Sequence, residues 1–65
     1  MNIIVNGASR ETRAPDIAEL LIELGYGDSA VATALNGAFV PAAARSLARL
    51  GEGDRVEVLA PMQGG

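Results

Sequence analysis

The sequence predicts an α+β domain, one mixed β-sheet with a single main helix packed across one face. Three observations carry that expectation. An Asn6-Gly7 pair follows a short apolar run and signals an N-terminal hairpin. Ile17, Leu20, Leu21 and Leu24 recur at i, i+3, i+4 and i+7, which draws one apolar stripe along a helix. Strand-like runs then resume and end in Arg55-Val56-Glu57-Val58-Leu59, so one helix stands between two sets of strands.

The elements justify themselves in order. Asn2 to Val5 is apolar and β-branched, and predicts a first strand near residues 2–6. Met1, Ile3 and Val5 share one face by the period of two, and Ile4 takes the other, covered or open to a partner. Asn6-Gly7 suits a type I′ turn, in which both central residues need positive φ. The returning strand is expected near residues 9–13. Ala14-Pro15 punctuates, and Asp16 then reads as a helix N-cap, with Glu19 at the capping-box spacing. Gly25 is placed to end the helix as a left-handed residue, giving about three turns near residues 16–25.

Val31 to Leu35 predicts a third strand, Asn36-Gly37 a second tight turn, and Ala38-Phe39-Val40 a short fourth strand stopped by Pro41. Ala42 to Leu50 is rich in Ala and Arg and has room for one helical turn. Gly51-Glu52-Gly53-Asp54 is a turn cluster before the last strand, residues 55–59. That strand needs a neighbour, and setting it parallel beside the first buries the most apolar sequence. The expected core is Ile3, Val5, Ile17, Leu20, Leu21, Leu24, Leu35, Val56 and Val58. The chain divides into a domain over 1–59 and a flexible tail over 60–65, which Pro61 releases from the sheet.

Composition removes most mechanisms. A chain of 65 residues allows one small domain, with no room for a deep substrate pocket. It has no Cys and no His, so a disulfide framework, a zinc site and a thiol or imidazole nucleophile are absent. It has no Lys, so no Schiff base forms. The net charge of −3 argues against nucleic acid, which rewards clustered basic side chains. No apolar run reaches spanning length and no signal-peptide pattern opens the chain, so the expectation is a cytoplasmic protein with no membrane partner. No metal or bound cofactor is expected.

The C-terminus is the informative end. At ordinary glycine usage a terminal Gly-Gly occurs by chance in about one chain in 200. Gly64-Gly65 makes a thin thread carrying a bare carboxylate. Such a thread fits a narrow channel in a partner; the alternative is a frayed end. Met62 reads either as a contact for a partner's apolar groove or as a spacer. Phe39 is placed in the core or at its margin in preference to a docking anchor, although with Leu59 it is retained as a candidate docking residue. Asp16 with Glu19 reads as a cap, not a catalytic pair, and Asp54 as turn chemistry. Arg45 and Arg49, four apart, read as a solvated basic face.

These residues carry a resemblance. Val31-Ala32-Thr33-Ala34-Leu35-Asn36-Gly37-Ala38-Phe39-Val40-Pro41 resembles the middle strands of the ThiS family of thiamine sulfur-carrier proteins. Gly53 to Leu59 resembles their final strand, Pro61-Met62-Gln63-Gly64-Gly65 their tail, and Asp16 to Leu21 their helix. The resemblance spans nearly the whole chain and implies a ubiquitin-like β-grasp fold. One departure stands out: many relatives carry Arg and a bulky aromatic soon after Val-Pro, where this chain has Ala42-Ala43-Ala44-Arg45-Ser46. No role of those side chains transfers.

The resemblance implies a sulfur relay with the chain as protein co-substrate, not enzyme. An adenylating, E1-like partner uses MgATP to activate the carboxylate of Gly65. A sulfur donor such as a cysteine desulfurase then yields a thiocarboxylate, which donates sulfur to thiazole synthase. Met62, Gln63 and Gly64 are the residues that enter partner active sites. A chain without Cys or Lys has no side-chain thiol or amine to attack its own activated end, although arginine-rich codon usage is the preferred explanation of the missing Lys. Two alternatives stay open: a carrier for another pathway, such as molybdopterin synthesis, whose carriers are usually longer, and a ubiquitin-like interaction module with an inert tail.

Overall fold

The computed structural model describes residues 1–27 and 30–60. β1 (Asn2–Val5) and β2 (Ala8–Glu11) form the hairpin, and α1 (Ile17–Glu23) follows. β3 (Ala32–Leu35) and β4 (Ala38–Val40) form a second hairpin, a 3-10 helix spans Ala42–Leu47, and β5 is Arg55–Leu59. The sheet order is β2-β1-β5-β3-β4. The last strand therefore lies at the centre, parallel to β1 and antiparallel to β3, as the apolar pattern demands.

Local chemistry makes each junction. Asn6 and Asn36 have φ of 49° and 50°, and Gly7 and Gly37 follow at 84° and 87°, as a type I′ turn requires. Asp16 caps α1, its Oδ1 accepting the Glu19 N–H at 2.9 Å. The helix is shorter than its apolar stripe predicts, seven residues or about two turns, because Leu24 is already its C-cap. Gly25, at φ +90°, donates to the Ile22 carbonyl and Tyr26 donates to that of Leu21. Those two bonds form a Schellman motif, which satisfies carbonyls the helix leaves open.

The core lies between α1 and one face of the sheet. Ile3, Ile17, Leu20, Leu21, Val56 and Val58 are buried as expected, joined by Ala14 and Val40. Val5, Leu24 and Leu35 are only half-buried at its rim. The missing burial is a matter of size: two helical turns cover the middle of five strands and leave their ends open.

β2 stops at Glu11, and the chain turns inward. Thr12 is buried, donates its hydroxyl to Glu23 Oε1 at 2.7 Å and accepts the Ala14 N–H at 3.0 Å. Arg10 Nε meets Glu23 Oε2 at 2.8 Å. These contacts pin the end of α1 to the first hairpin. The Thr12 hydroxyl, and then the Arg10 guanidinium, hold the Glu23 carboxyl below the ordinary carboxylate range.

Candidate functional site

Two parts make up the site: the sheet face that α1 leaves uncovered, and the end of β5 from which the tail departs. Period-two alternation sets the face. Ile3, Val56, Val58 and Thr33 turn toward the helix, so Ile4, Arg55, Glu57, Leu59, Ala32 and Ala34 turn away. On β4, Val40 pairs with Thr33 and is buried, so Phe39 pairs with Ala34 on the open face.

Phe39 is 70% exposed, which corrects its expected place in the core. The reason is register. A three-residue strand has one central residue, and Val40 had already taken the helix side. Leu59 is exposed to the same degree. Both line one groove of about 200 Å³ with Ala32, Ala34, Asn6 and Glu57. The two candidate docking residues are thus brought together by strands twenty positions apart in sequence order. Their small neighbours Ala32 and Ala34 leave space between two large apolar side chains.

The groove opens toward the root of the tail. A second shallow depression joins Leu59 and Ala60 to Val31, Ala32 and Ala30. The candidate tail residues Met62, Gln63, Gly64 and Gly65 lie outside the described residues, as does most of the 60–65 tail segment.

Several side chains that hold β5 were missed by sequence reasoning. Asn6 was read as a turn residue alone. Its Oδ1 accepts the Val58 N–H at 2.8 Å, and its Nδ2 donates to the Val58 carbonyl at 3.1 Å. Asn36 behaves likewise at the start of β5, accepting the Arg55 N–H at 2.9 Å and donating to Asp54 Oδ1 at 3.1 Å. Asp54 Oδ2 also takes the Gly51 N–H at 2.7 Å, the turn role expected of it.

Arg45 is not the solvated half of a basic face. It is half-buried, with one guanidinium nitrogen donating to the Val31 carbonyl at 2.6 Å and Nε to Thr33 Oγ1 at 3.2 Å. Here the Ala42–Ser46 departure acquires a role: the 3-10 helix delivers one Arg to β3. Arg49 is exposed, as expected. Among the described residues, no group of three His, Cys, Asp or Glu stands close enough to hold a metal ion. No helix among them is long and apolar enough to cross a membrane.

Comparison with known proteins agrees with this geometry. The sequence profile described as the ThiS family matches residues 3–65. No curated protein matches the chain. A solved structure, the thiamine biosynthesis protein (ThiS) from Geobacter metallireducens, is 33% identical and superposes with a TM-score of 0.82. The match covers 100% of both chains. One mixed five-stranded sheet under a single main helix is the ubiquitin-like β-grasp arrangement of that relative.

Proposed function

The chain belongs to the ThiS family, and on that premise we propose that it is a sulfur-carrier protein of thiamine biosynthesis, a co-substrate that partner enzymes act upon. The observation that carries this reading is the reach of the family match, which runs through the terminal Gly64-Gly65. A carboxylate is a poor acyl donor. In the proposed reaction an adenylating partner joins the Gly65 carboxylate to AMP from MgATP and releases pyrophosphate. The outer sulfur of a persulfide, supplied by a donor such as a cysteine desulfurase, attacks the acyl carbon and expels AMP. A second thiol then cleaves the S–S bond, leaving a thiocarboxylate on the carrier and a disulfide on the donor side. Thiazole synthase receives the sulfur.

The described residues support a supporting role for the domain itself. The open face offers Phe39 and Leu59 for docking, and β5 ends beside them. Acid-base and electrostatic work falls to the partner, which alone needs to surround the reacting atoms. The reading places the chain in the cytoplasm, where the partner draws on ATP.

The test is ATP–pyrophosphate exchange with the adenylating enzyme, followed by intact-mass measurement for oxygen-to-sulfur replacement. Full-length chain is activated and gains sulfur. Chain lacking Gly65 stays folded, since a terminal residue contributes little burial, but is not activated. Equal activation of a folded chain without Gly65 overturns the reading in favour of an interaction module with an inert tail.

A further inference from the structure

β5 has two unequal flanks. On the β3 side the ladder runs from Leu35↔Val56 to Ala32↔Leu59, the C-terminal end of β5. On the β1 side the paired residues are only Ile4↔Arg55 and Val5↔Val56. The Ile4 N–H bonds the Asp54 carbonyl and the Asn6 N–H bonds that of Val56, both at 2.9 Å. The next β5 groups facing β1 are the N–H and carbonyl of Val58. There β1 has already entered its turn, and its backbone is no longer available.

The Asn6 carboxamide fills that place. Its acceptor and donor meet the Val58 N–H and carbonyl at 2.8 and 3.1 Å, as a peptide group of a longer β1 would. Asn6 sits at a left-handed φ of 49°, its N–H on the Val56 carbonyl and its carboxamide one rung further toward the C-terminal end of β5. We propose that Asn6 is a positioning residue for the acyl-transfer chemistry. It adds one side-chain rung to the parallel ladder and so fixes the direction in which the chain leaves the sheet at Leu59 and Ala60. This inference rests on the carrier reading above. A carboxylate delivered over a short lead is used well only if the root of that lead points the right way.

Asn36 supplies the control. It occupies the same turn position, with φ of 50°, and also bonds β5, but at Arg55, the end remote from the tail. Asn6→Gly and Asn36→Gly each keep a residue tolerant of positive φ and each remove one carboxamide. Both are compared with wild type in ATP–pyrophosphate exchange, under conditions where circular dichroism shows all three folded. Asn6→Gly should lower kcat about ten-fold or more and leave KM for the carrier within about two-fold, because the docking side chains Phe39 and Leu59 are unchanged. Asn36→Gly should leave both within about two-fold. Asn6→Asp keeps the acceptor for the Val58 N–H and should recover part of kcat. Amide exchange at Val58 should quicken in Asn6→Gly and not in Asn36→Gly. Equal losses in the two glycine variants, or unchanged Val58 exchange in Asn6→Gly, overturn the inference alone. An unactivated wild type overturns the carrier reading and the inference with it.

Discussion

Arg45 Nε donates to Thr33 Oγ1 at 3.2 Å, and the Thr33 hydroxyl donates in turn to the Val40 carbonyl at 2.7 Å. A relay of two bonds thus joins the 3-10 helix to both strands of the second hairpin. Thr33 is 2% exposed, so its hydroxyl depends on protein partners. Arg45→Leu should destabilise the domain by about 1.5–3 kcal/mol, the range for hydrogen bonds to charged groups. Arg49→Leu, at an exposed position, should stay within about 0.5 kcal/mol. Urea denaturation of the two variants separates these outcomes, and equal midpoints would show that Arg45 is solvated after all.

Leu21 is buried beneath the Schellman turn and accepts the Tyr26 N–H at its carbonyl. Leu21→Ala should cost about 2–5 kcal/mol through lost burial and the cavity left behind. A domain of this size has little more than that to lose, so the variant should be largely unfolded at 37 °C. Circular dichroism melting measures it, and a native midpoint would mean that the helix face is packed by other residues.

Glu23 gives a pH prediction. Its folded carboxyl titrates below the ordinary carboxylate range, held there first by the Thr12 hydroxyl and then by Arg10. A depressed carboxylate pKa adds stability that is present above the unfolded value and is lost as pH falls through the folded one. The pair is about a third exposed, which limits the contribution to about 0.2–1 kcal/mol. Glu23→Gln should therefore be less stable than wild type at neutral pH, and the gap should close as pH falls through the depressed value. Denaturation midpoints measured at a series of pH values show the trend; a gap independent of pH would remove the ionised carboxylate from the account.

Phe39→Ala should separate binding from folding. The ring is mostly in solvent, so the melting temperature should barely move, within about 0.5 kcal/mol of stability. Affinity for the adenylating partner should fall about ten-fold or more, the loss typical of an aromatic anchor. Calorimetric titration with the partner is the direct measurement. Unchanged affinity would assign docking to other residues of the open face.

Much of the fold was legible because its determinants are local. Asn-Gly pairs specify positive φ on their own, Asp16 caps through a residue three places on, and Gly25 ends a helix by its own backbone. The parallel placement of β5 followed from where apolar residues could be buried. What escaped is long-range side-chain chemistry. Asn6 reaches Val58 across 52 positions and Arg45 reaches Val31 across 14, and no periodicity marks either. Phe39 escaped for another reason: in three residues, alternation has no second repeat to fix its phase. The tail was read from the terminal glycines themselves, and the groove beside its root became visible only once β3, β4 and β5 were adjacent.

The central strand of this sheet leaves the ribosome after the other four. Until Arg55 to Leu59 emerges, translation has produced two hairpins and a short helix with no strand to join them. The joining contacts span most of the chain, which favours slow, all-or-none folding after synthesis. A nascent chain broken off before β5 cannot complete the sheet and is left to proteases. A folded domain therefore certifies that synthesis reached Leu59, so partners that recognise the fold are spared encounters with chains cut short before that point.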